Sequence, residues 1–385
     1  MKEKVKQIIE GNARLSVPDC SDIHHCLVFY NPQMRFNRSL SSLAIAPAAE
    51  MLGKKMAVVD GLCATGARGV RYAIESPQAV GKVFLVEAND HALPFIKENI
   101  RKNRLGKKSK VIHEDLNAAL PKLAFSKQEI DLVEIDPFGS PAPFLENAIR
   151  CFGKKGVLSV TATDLANLYG TRPRPCIRQY DARPLHNFFA HETALRILIG
   201  RIARTAAAQD FSATPLLSWY EQHYIKTIVF LEKGADKSDA ALANMGFVNF
   251  CRKCFFAFAS KTPEKACPEC GGQLEHAGPL WISDYCSKDF LEKMEKRAGE
   301  KEQDWLGEKE KERIEKHLEL LEGELGMPPW FFDVHEIMSK SRKKGGKLDG
   351  LVSRLDASGK KTARTHFSPT GIKTTATAGQ IAGFL

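Results

Sequence analysis

Between residues 56 and 160 short apolar runs alternate with stretches whose apolar residues recur at helical spacing, and few folds accept that alternation. Residues 56–59, 83–86, 111–112, 130–135 and 157–160 read as strands. Helices are expected near 67–75 and 92–102, the second carrying Leu93, Phe95, Ile96 and Ile100 at helical intervals. Strands joined through helices make a parallel sheet covered on both faces. Two further runs, 214–220 and 224–231, lie too close together for a parallel crossover and are expected to form an antiparallel pair.

A chain of 385 residues with 43% hydrophobic content has room for two or three domains. It contains no run of 18 apolar residues and no apolar segment after the charged start, so neither a membrane helix nor a secretory signal is expected; the cytoplasm is the expected location. Residues 234–239 read as a linker, 288–325 as one or two exposed Glu/Lys-rich helices, and Gly326-Met327-Pro328-Pro329 as their stop. The net charge is +10, and residues 340–373 carry ten Lys or Arg against two Asp. Such a segment is either a solvated disordered tail or a surface for a polyanion.

The first strand runs into Asp60-Gly61-Leu62-Cys63-Ala64-Thr65-Gly66-Ala67-Arg68-Gly69, a turn of small residues that lets a ligand approach the backbone. It lacks the G-x-G-x-x-G of a pyrophosphate cradle and is similar to the looser first motif of S-adenosylmethionine enzymes. Glu87, ending the second strand, is placed to accept from ribose hydroxyls. Asp115, after the third, is placed to accept from an adenine amine, with Leu116 packing on the ring. In this order they indicate an adenosyl ligand.

At the end of the strand 130–135 stands Asp136-Pro137-Phe138-Gly139-Ser140-Pro141. An exocyclic amine conjugated to a base ring is a poor nucleophile. A carboxylate that accepts its hydrogens, a proline that fixes the carbonyl beside it, and an aromatic face on which the base stacks together make methylation of such an amine feasible. Asp136 is the expected proton acceptor, with Pro137 and Phe138 completing the catalytic turn. Glu134, on the same strand face, reads as a structural acid.

Cys251, Cys254, Cys267 and Cys270 form two C-x-x-C pairs separated by twelve residues, with Gly271-Gly272 closing the second turn. Two such knuckles make a tetrahedral four-thiolate site, so a structural zinc ion is expected. Cys20, Cys26, Cys63, Cys151, Cys176 and Cys286 are scattered and read as small buried apolar residues.

Taken together, the chain resembles the tRNA (guanine(26)-N2)-dimethyltransferases over nearly its whole length. The resemblance rests on Phe29-Tyr30-Asn31-Pro32-Gln33-Met34, Asn37-Arg38, the turn 60–69, the motif 136–141, Val160-Thr161-Ala162-Thr163-Asp164, the basic stretch 172–183 and His191-Glu192. Near the C-terminus Trp330-Phe331-Phe332-Asp333-Val334-His335 and Arg364-Thr365-His366-Phe367-Ser368-Pro369-Thr370-Gly371 complete it. It implies a class I S-adenosylmethionine-dependent methyltransferase fold, Rossmann-like with a mostly parallel seven-stranded sheet, followed by a C-terminal α+β domain holding zinc. It implies a catalytic unit at 1–234 and a tRNA-binding unit at 235–385, with the zinc knuckles at 251–270. It further implies cofactor contacts from Arg38, Asp60, Arg68, Glu87, Asp115 and Leu116, and a guanine pocket lined by Phe29 and Asn31. Charge clustering adds Arg172, Arg174 and Arg178 as phosphate contacts, with Lys343, Lys344, Lys360, Lys361 and Arg364 further on. The oligomeric state is open, a monomer being compatible. Competing readings are an amino-methyltransferase on another RNA or DNA base, an inactive zinc-ribbon RNA-binding protein and, least favoured, a nicotinamide oxidoreductase.

Overall fold

The computed structural model describes residues 4–20, 26–126 and 128–385, so residues 1–3 of the charged start lie outside the described residues. An N-terminal hairpin comes first: β1 (Val5–Glu10) pairs antiparallel with β2 (Ala13–Pro18). Its turn needs glycine twice over. Gly11 has φ +56°, and a Cβ there would lie 1.9 Å from Glu75 Oε1.

The main sheet contains β3 (Met56–Gly61), β4 (Val80–Glu87), β5 (Ser109–His113), β6 (Leu132–Ile135), β7 (Lys155–Ala162), β8 (Phe211–Glu221) and β9 (Tyr224–Lys233). Its order is β5-β4-β3-β6-β7-β9-β8. All pairings are parallel except those of β9, which runs antiparallel to both β7 and β8. β3 and β6 are buried at every position, which is why they read as unbroken apolar runs rather than alternating ones. The expected seven-stranded, mostly parallel sheet with a reversed end is present. In a parallel sheet the carboxyl ends of the strands share one edge, and ligands bind there. The register sets Asp60 opposite Glu134, Glu134 opposite Ser159, and Thr161 opposite Lys226.

Residues 234–239 do not form a linker. They begin a helix, Ala235–Leu242, whose alanine-rich sequence outweighs its charge. Then come β10 (Met245–Phe250), β11 (Ala257–Ser260) and β12 (Glu275–Trp281), an antiparallel sheet in the order β11-β10-β12. The Glu/Lys-rich segment forms the helices Lys288–Ala298 and Glu308–Gly323, which pack on each other. Last come β13 (Phe332–Asp333), β14 (Thr362–Arg364) and β15 (Gly371–Thr374), ordered β13-β15-β14.

The basic segment 340–373 is therefore no disordered tail. It folds over a small core that includes Ile337, Leu351, Leu355, Ile372 and Ile381. Lys373, counted among its surface charges, is fully buried against Glu192. Cys63, Cys151, Cys176 and Cys286 are buried as expected, but Cys20 and Cys26 are joined by a disulfide, their Cα atoms 6.1 Å apart.

Candidate active site and zinc centre

The turn after β3 carries left-handed backbone at Leu62 (φ 59°), Ala64 (φ 49°) and Gly66 (φ 72°). Glycine pays nothing for that conformation, but Leu62 and Ala64 are strained, so something must hold them. Glu87 holds Ala64: its Oε2 accepts from Ala64 N–H at 2.6 Å and its Oε1 from Asn89 N–H at 2.9 Å. One bond to each oxygen leaves acceptor capacity for a ribose. Asp115 caps the helix Leu116–Ala124, accepting from Asn117 N–H at 2.8 Å. Leu116 is buried against Gly61, where a Cβ would lie 2.8 Å from Leu116 Cδ2. Asp60 sits below the turn, 2% exposed, and accepts from Gly69 N–H at 2.8 Å. Burial is the main reason its carboxyl is pushed up to about 7. Around the turn stand the carboxyl groups of Asp60, Glu87 and Asp115, while its one arginine, Arg68, is directed from its end toward Asp136. This acceptor-rich set disfavours a pyrophosphate and suits an adenosyl ligand with a positively charged centre.

Asp136 follows β6 and is partly exposed, with Arg68 donating to it from the helix Ala67–Glu75. Arg68 Nη1 donates to Asn37 Oδ1 at 2.8 Å and to Ser41 Oγ at 3.3 Å, and its Nε lies 3.7 Å from Glu134 Oε1. Burial alone would raise the Asp136 carboxyl. Arg68 beside it and Lys226 behind it outweigh burial and hold it below the ordinary 3.8. Phe138 is 73% exposed, and its ring meets Phe29 at 4.5 Å and 78°. The loop 136–141 is tied down where Gly139 N–H donates to Thr163 Oγ1 at 2.8 Å and Thr163 N–H to Gly139 O at 3.1 Å.

The other residues singled out in the sequence are distributed as follows. Asn31 caps a short turn, accepting from Gln33 N–H at 2.9 Å. Arg38 is buried and spends its fork on Glu10, with both bonds at 2.6 Å. Arg172, Arg174 and Arg178 lie exposed along the helix Pro173–Tyr180 without a carboxylate partner among the described residues, whereas Arg35, Arg101, Arg150 and Arg252 are each ion-paired. Lys361 and Arg364 are engaged by Leu325 O and Asp349.

Several participants were not singled out. Glu10 binds Arg38 and Arg71 and accepts from Tyr30. Tyr72 donates to Glu134 Oε2 at 2.8 Å, and Lys226 donates to Glu134 and to Thr161 Oγ1 at 3.1 Å. A lysine inside the apolar run Tyr224-Ile225-Lys226-Thr227-Ile228-Val229 was the available signal. Glu10 had none.

The four cysteine sulfurs lie within 4.8 Å of one another, with Cys251–Cys270 and Cys254–Cys267 both at 3.6 Å. Zn–S bonds of about 2.3 Å in a tetrahedron need an S–S spacing near that value. The two knuckles repeat one geometry. Phe255 N–H donates to Cys251 O at 2.8 Å and Gly271 N–H to Cys267 O at 2.9 Å, with Phe255 and Gly271 both left-handed. A Cβ at Gly272 would come within 3.3 Å of Cys270 Sγ and 3.4 Å of Cys251 Sγ, a close fit that a glycine relieves. The residues fit a closed structural zinc site.

The sequence matches the family model described as "N2,N2-dimethylguanosine tRNA methyltransferase" over residues 11–385. It is 36% identical over 381 residues to the tRNA (guanine(26)-N(2))-dimethyltransferase of Methanothermobacter thermautotrophicus, covering 97% of this chain and 96% of that protein. It is 32% identical to the protein of the same name from Pyrococcus abyssi, covering 96% of each. The solved structure of Trm1 from Pyrococcus horikoshii with S-adenosyl-L-methionine is similar at a TM-score of 0.85 and 31% identity, covering 98% of this chain and 99% of that one.

Proposed function

The chain belongs to the N2,N2-dimethylguanosine tRNA methyltransferase family, and from that membership we propose how its own residues methylate the exocyclic N2 of guanine 26 in tRNA. S-adenosylmethionine supplies an electrophilic methyl group. Glu87 receives the ribose, and Asp115 with Leu116 receives the adenine. Arg38 and Arg68 stand at the methionine end. Since Glu10 occupies the Arg38 fork, Arg68 is our assignment for the methionine carboxylate, through the Nη1 edge now facing Asn37 and Ser41. Asp60 serves the cofactor by bracing the turn.

The target base leaves its stack at a cost of a few kcal/mol and is received by Phe138 and Phe29. Asn31 shapes that wall as a cap. Asp136 orients the amine by accepting its hydrogens, with the Pro137 carbonyl beside it. Once methylated the nitrogen is cationic and strongly acidic, so even a weakly basic carboxylate can take its proton. After one transfer a hydrogen remains, and rotation about the C–N bond presents it for a second. Arg172, Arg174 and Arg178, with Lys343, Lys344 and Lys360, are proposed phosphate contacts. The division into a catalytic unit, 1–234, and a tRNA-binding unit, 235–385, is part of this reading, with zinc stiffening the second. A cytoplasmic monomer fits it, and no described helix is long and apolar enough to cross a membrane.

The observation that carries the reading is an ionised Asp136 beside an exposed aromatic ring at the edge of β6, next to an acid-lined turn. Incubation with labelled S-adenosylmethionine and unmodified tRNA, followed by mass-spectrometric mapping, is expected to place one or two methyl groups on guanine 26. Labelling elsewhere, or full activity of Asp136→Ala, would refute the substrate and the catalytic assignment respectively.

A further inference from the structure

The buried polar chain behind the catalytic strand crosses the reversed part of the sheet. Lys226 lies in β9 opposite Thr161 of β7, and its side chain is fully buried. It donates to Glu134 in β6, also fully buried, and to Thr161 Oγ1. Glu134 receives Tyr72 OH on its other oxygen and faces Arg68 Nε at 3.7 Å. We propose that Lys226 is a positioning residue for the reaction: it anchors Glu134, Glu134 sets the plane of the Arg68 guanidinium, and Arg68 holds Asp136 toward the amine.

Charge balance gives the reason. Around Asp136 stand Asp60 from β3, Glu134 from β6, Arg68 and Tyr72 from the helix Ala67–Glu75, and Lys226 from β9. Arg68 therefore sits between two carboxylates, and its geometry depends on how strongly each pulls. Lys226 neutralises the deeper one. Without it, Glu134 would be an uncompensated buried anion and would draw Arg68 Nε in from 3.7 Å to hydrogen-bonding distance. Nη2 would then leave Asp136. Burial pulls the Lys226 ammonium below its usual range, with Glu134 opposing, so the sheet carries this cation at a desolvation cost that an apolar side chain would avoid. Retaining it there is explained by what lies at the other end of the chain.

This inference rests on the reading of Asp136 as the proton acceptor, so the test separates the two. Lys226→Met, the double variant Lys226→Met with Glu134→Gln, and Asp136→Ala are compared with wild type. The readouts are the pH profile of kcat/KM and the titration of the Asp136 side-chain carbon in the ligand-free protein by NMR. Lys226→Met is expected to move both the acid limb and the carboxyl midpoint up by about one pH unit and to lower kcat roughly ten-fold. If that variant does not fold, Lys226→Gln takes its place, with the same raised limb expected. The double variant leaves no buried charge unpaired and removes the deeper pull on Arg68, so it is expected to melt near wild type with the limb and midpoint returned toward their wild-type values. A folded single variant with the wild-type limb and midpoint, or a double variant that keeps the raised limb, would overturn the inference and make the pair merely structural. Activity retained by Asp136→Ala would instead overturn the assignment of Asp136, and the carbon titration would still decide the role of Lys226.

Discussion

A carboxylate held below its ordinary range is a poor general base at neutral pH, and this limits what Asp136 can contribute. It can orient the amine, stabilise charge growing on nitrogen, and take a proton that has become acidic; it cannot remove one beforehand. Asp136→Asn keeps the shape, loses the charge and is expected to lower kcat roughly 10³-fold while S-adenosylmethionine binding by calorimetry persists. The pH dependence has a definite sign. Since the folded carboxyl lies below 3.8, the acid limb that belongs to Asp136 should lie below that value, separate from any limb due to Asp60, whose carboxyl is pushed up to about 7. Arg68→Met removes the chief opposing cation, so its acid limb should appear at higher pH. A limb unmoved by that change would show that Asp136 is held ionised by something else. The strand-end position of Asp136 and Phe138 was legible in the sequence because they close an apolar run. Tyr72 and Glu10 were not, since each acts on a partner about sixty residues away or nearly thirty, which no local pattern encodes.

At the level of elements, β3 and β6 were legible because they are apolar runs buried at every position, whereas β15, equally buried, was not, because its Lys373 and Thr374 read as polar. The hairpin β1–β2 escaped because β1 is exposed and mixed, and β2, though mostly buried, interrupts its apolar residues with Arg14 and Ser16. The helix Ala235–Leu242 escaped because small and charged residues describe a solvated helix as well as a linker. The zinc knuckles were legible from spacing, and their fold yields a prediction. The sulfurs share a small core only with Leu274, Phe256, Phe258 and each other. Removing the metal should therefore loosen the knuckles 251–256 and 267–274 locally, while β10–β12, whose Val248, Phe250, Ala277 and Leu280 belong to the main core, and the parallel sheet persist. Chelation, or Cys254→Ser, is expected to abolish stoichiometric zinc by elemental analysis and to lower the thermal midpoint. Cofactor binding by calorimetry should stay within about two-fold, as the adenosyl turn lies in the other sheet. The helix Pro173–Tyr180 yields another. Replacing Arg172, Arg174 and Arg178 with alanine should make the plot of log K against log salt for tRNA shallower by roughly 2.7, at close to 0.9 per phosphate contact on a duplex arm. An unchanged slope would remove these arginines from the RNA surface.

Across the whole molecule, the apolar core does not stop where the catalytic sheet does. It runs from Ala13 through Phe250, Phe290 and Leu318 to Phe367, so the C-terminal segments pack into the same core as the parallel sheet. Buried polar groups cross the same seam. Lys373 reaches Glu192, and Glu324 accepts from His366 Nδ1 at 2.7 Å while Tyr220 N–H donates to His366 Nε2 at 3.1 Å. The family strings around Phe331 and His366 thus have a physical reading as the place where the last sheet locks onto β8. His317 belongs to this seam, packed edge-on against Phe36 at 5.4 Å and His366 at 5.3 Å. Burial is the main cause that drives its imidazole down to about 3 from the usual 6.5, with His366 adding to it and Glu324 opposing. The folded state therefore holds the neutral ring while the unfolded chain takes up a proton near pH 6.5, so the contribution is present above that pH and is lost as pH falls toward 3. Between pH 6.5 and 5 the loss should be about 2 kcal/mol. Urea unfolding of wild type and His317→Phe at both pH values measures it: the variant keeps the ring packing without the proton and should show a correspondingly smaller fall. Equal falls in the two proteins would mean that the acid sensitivity arises from another buried group.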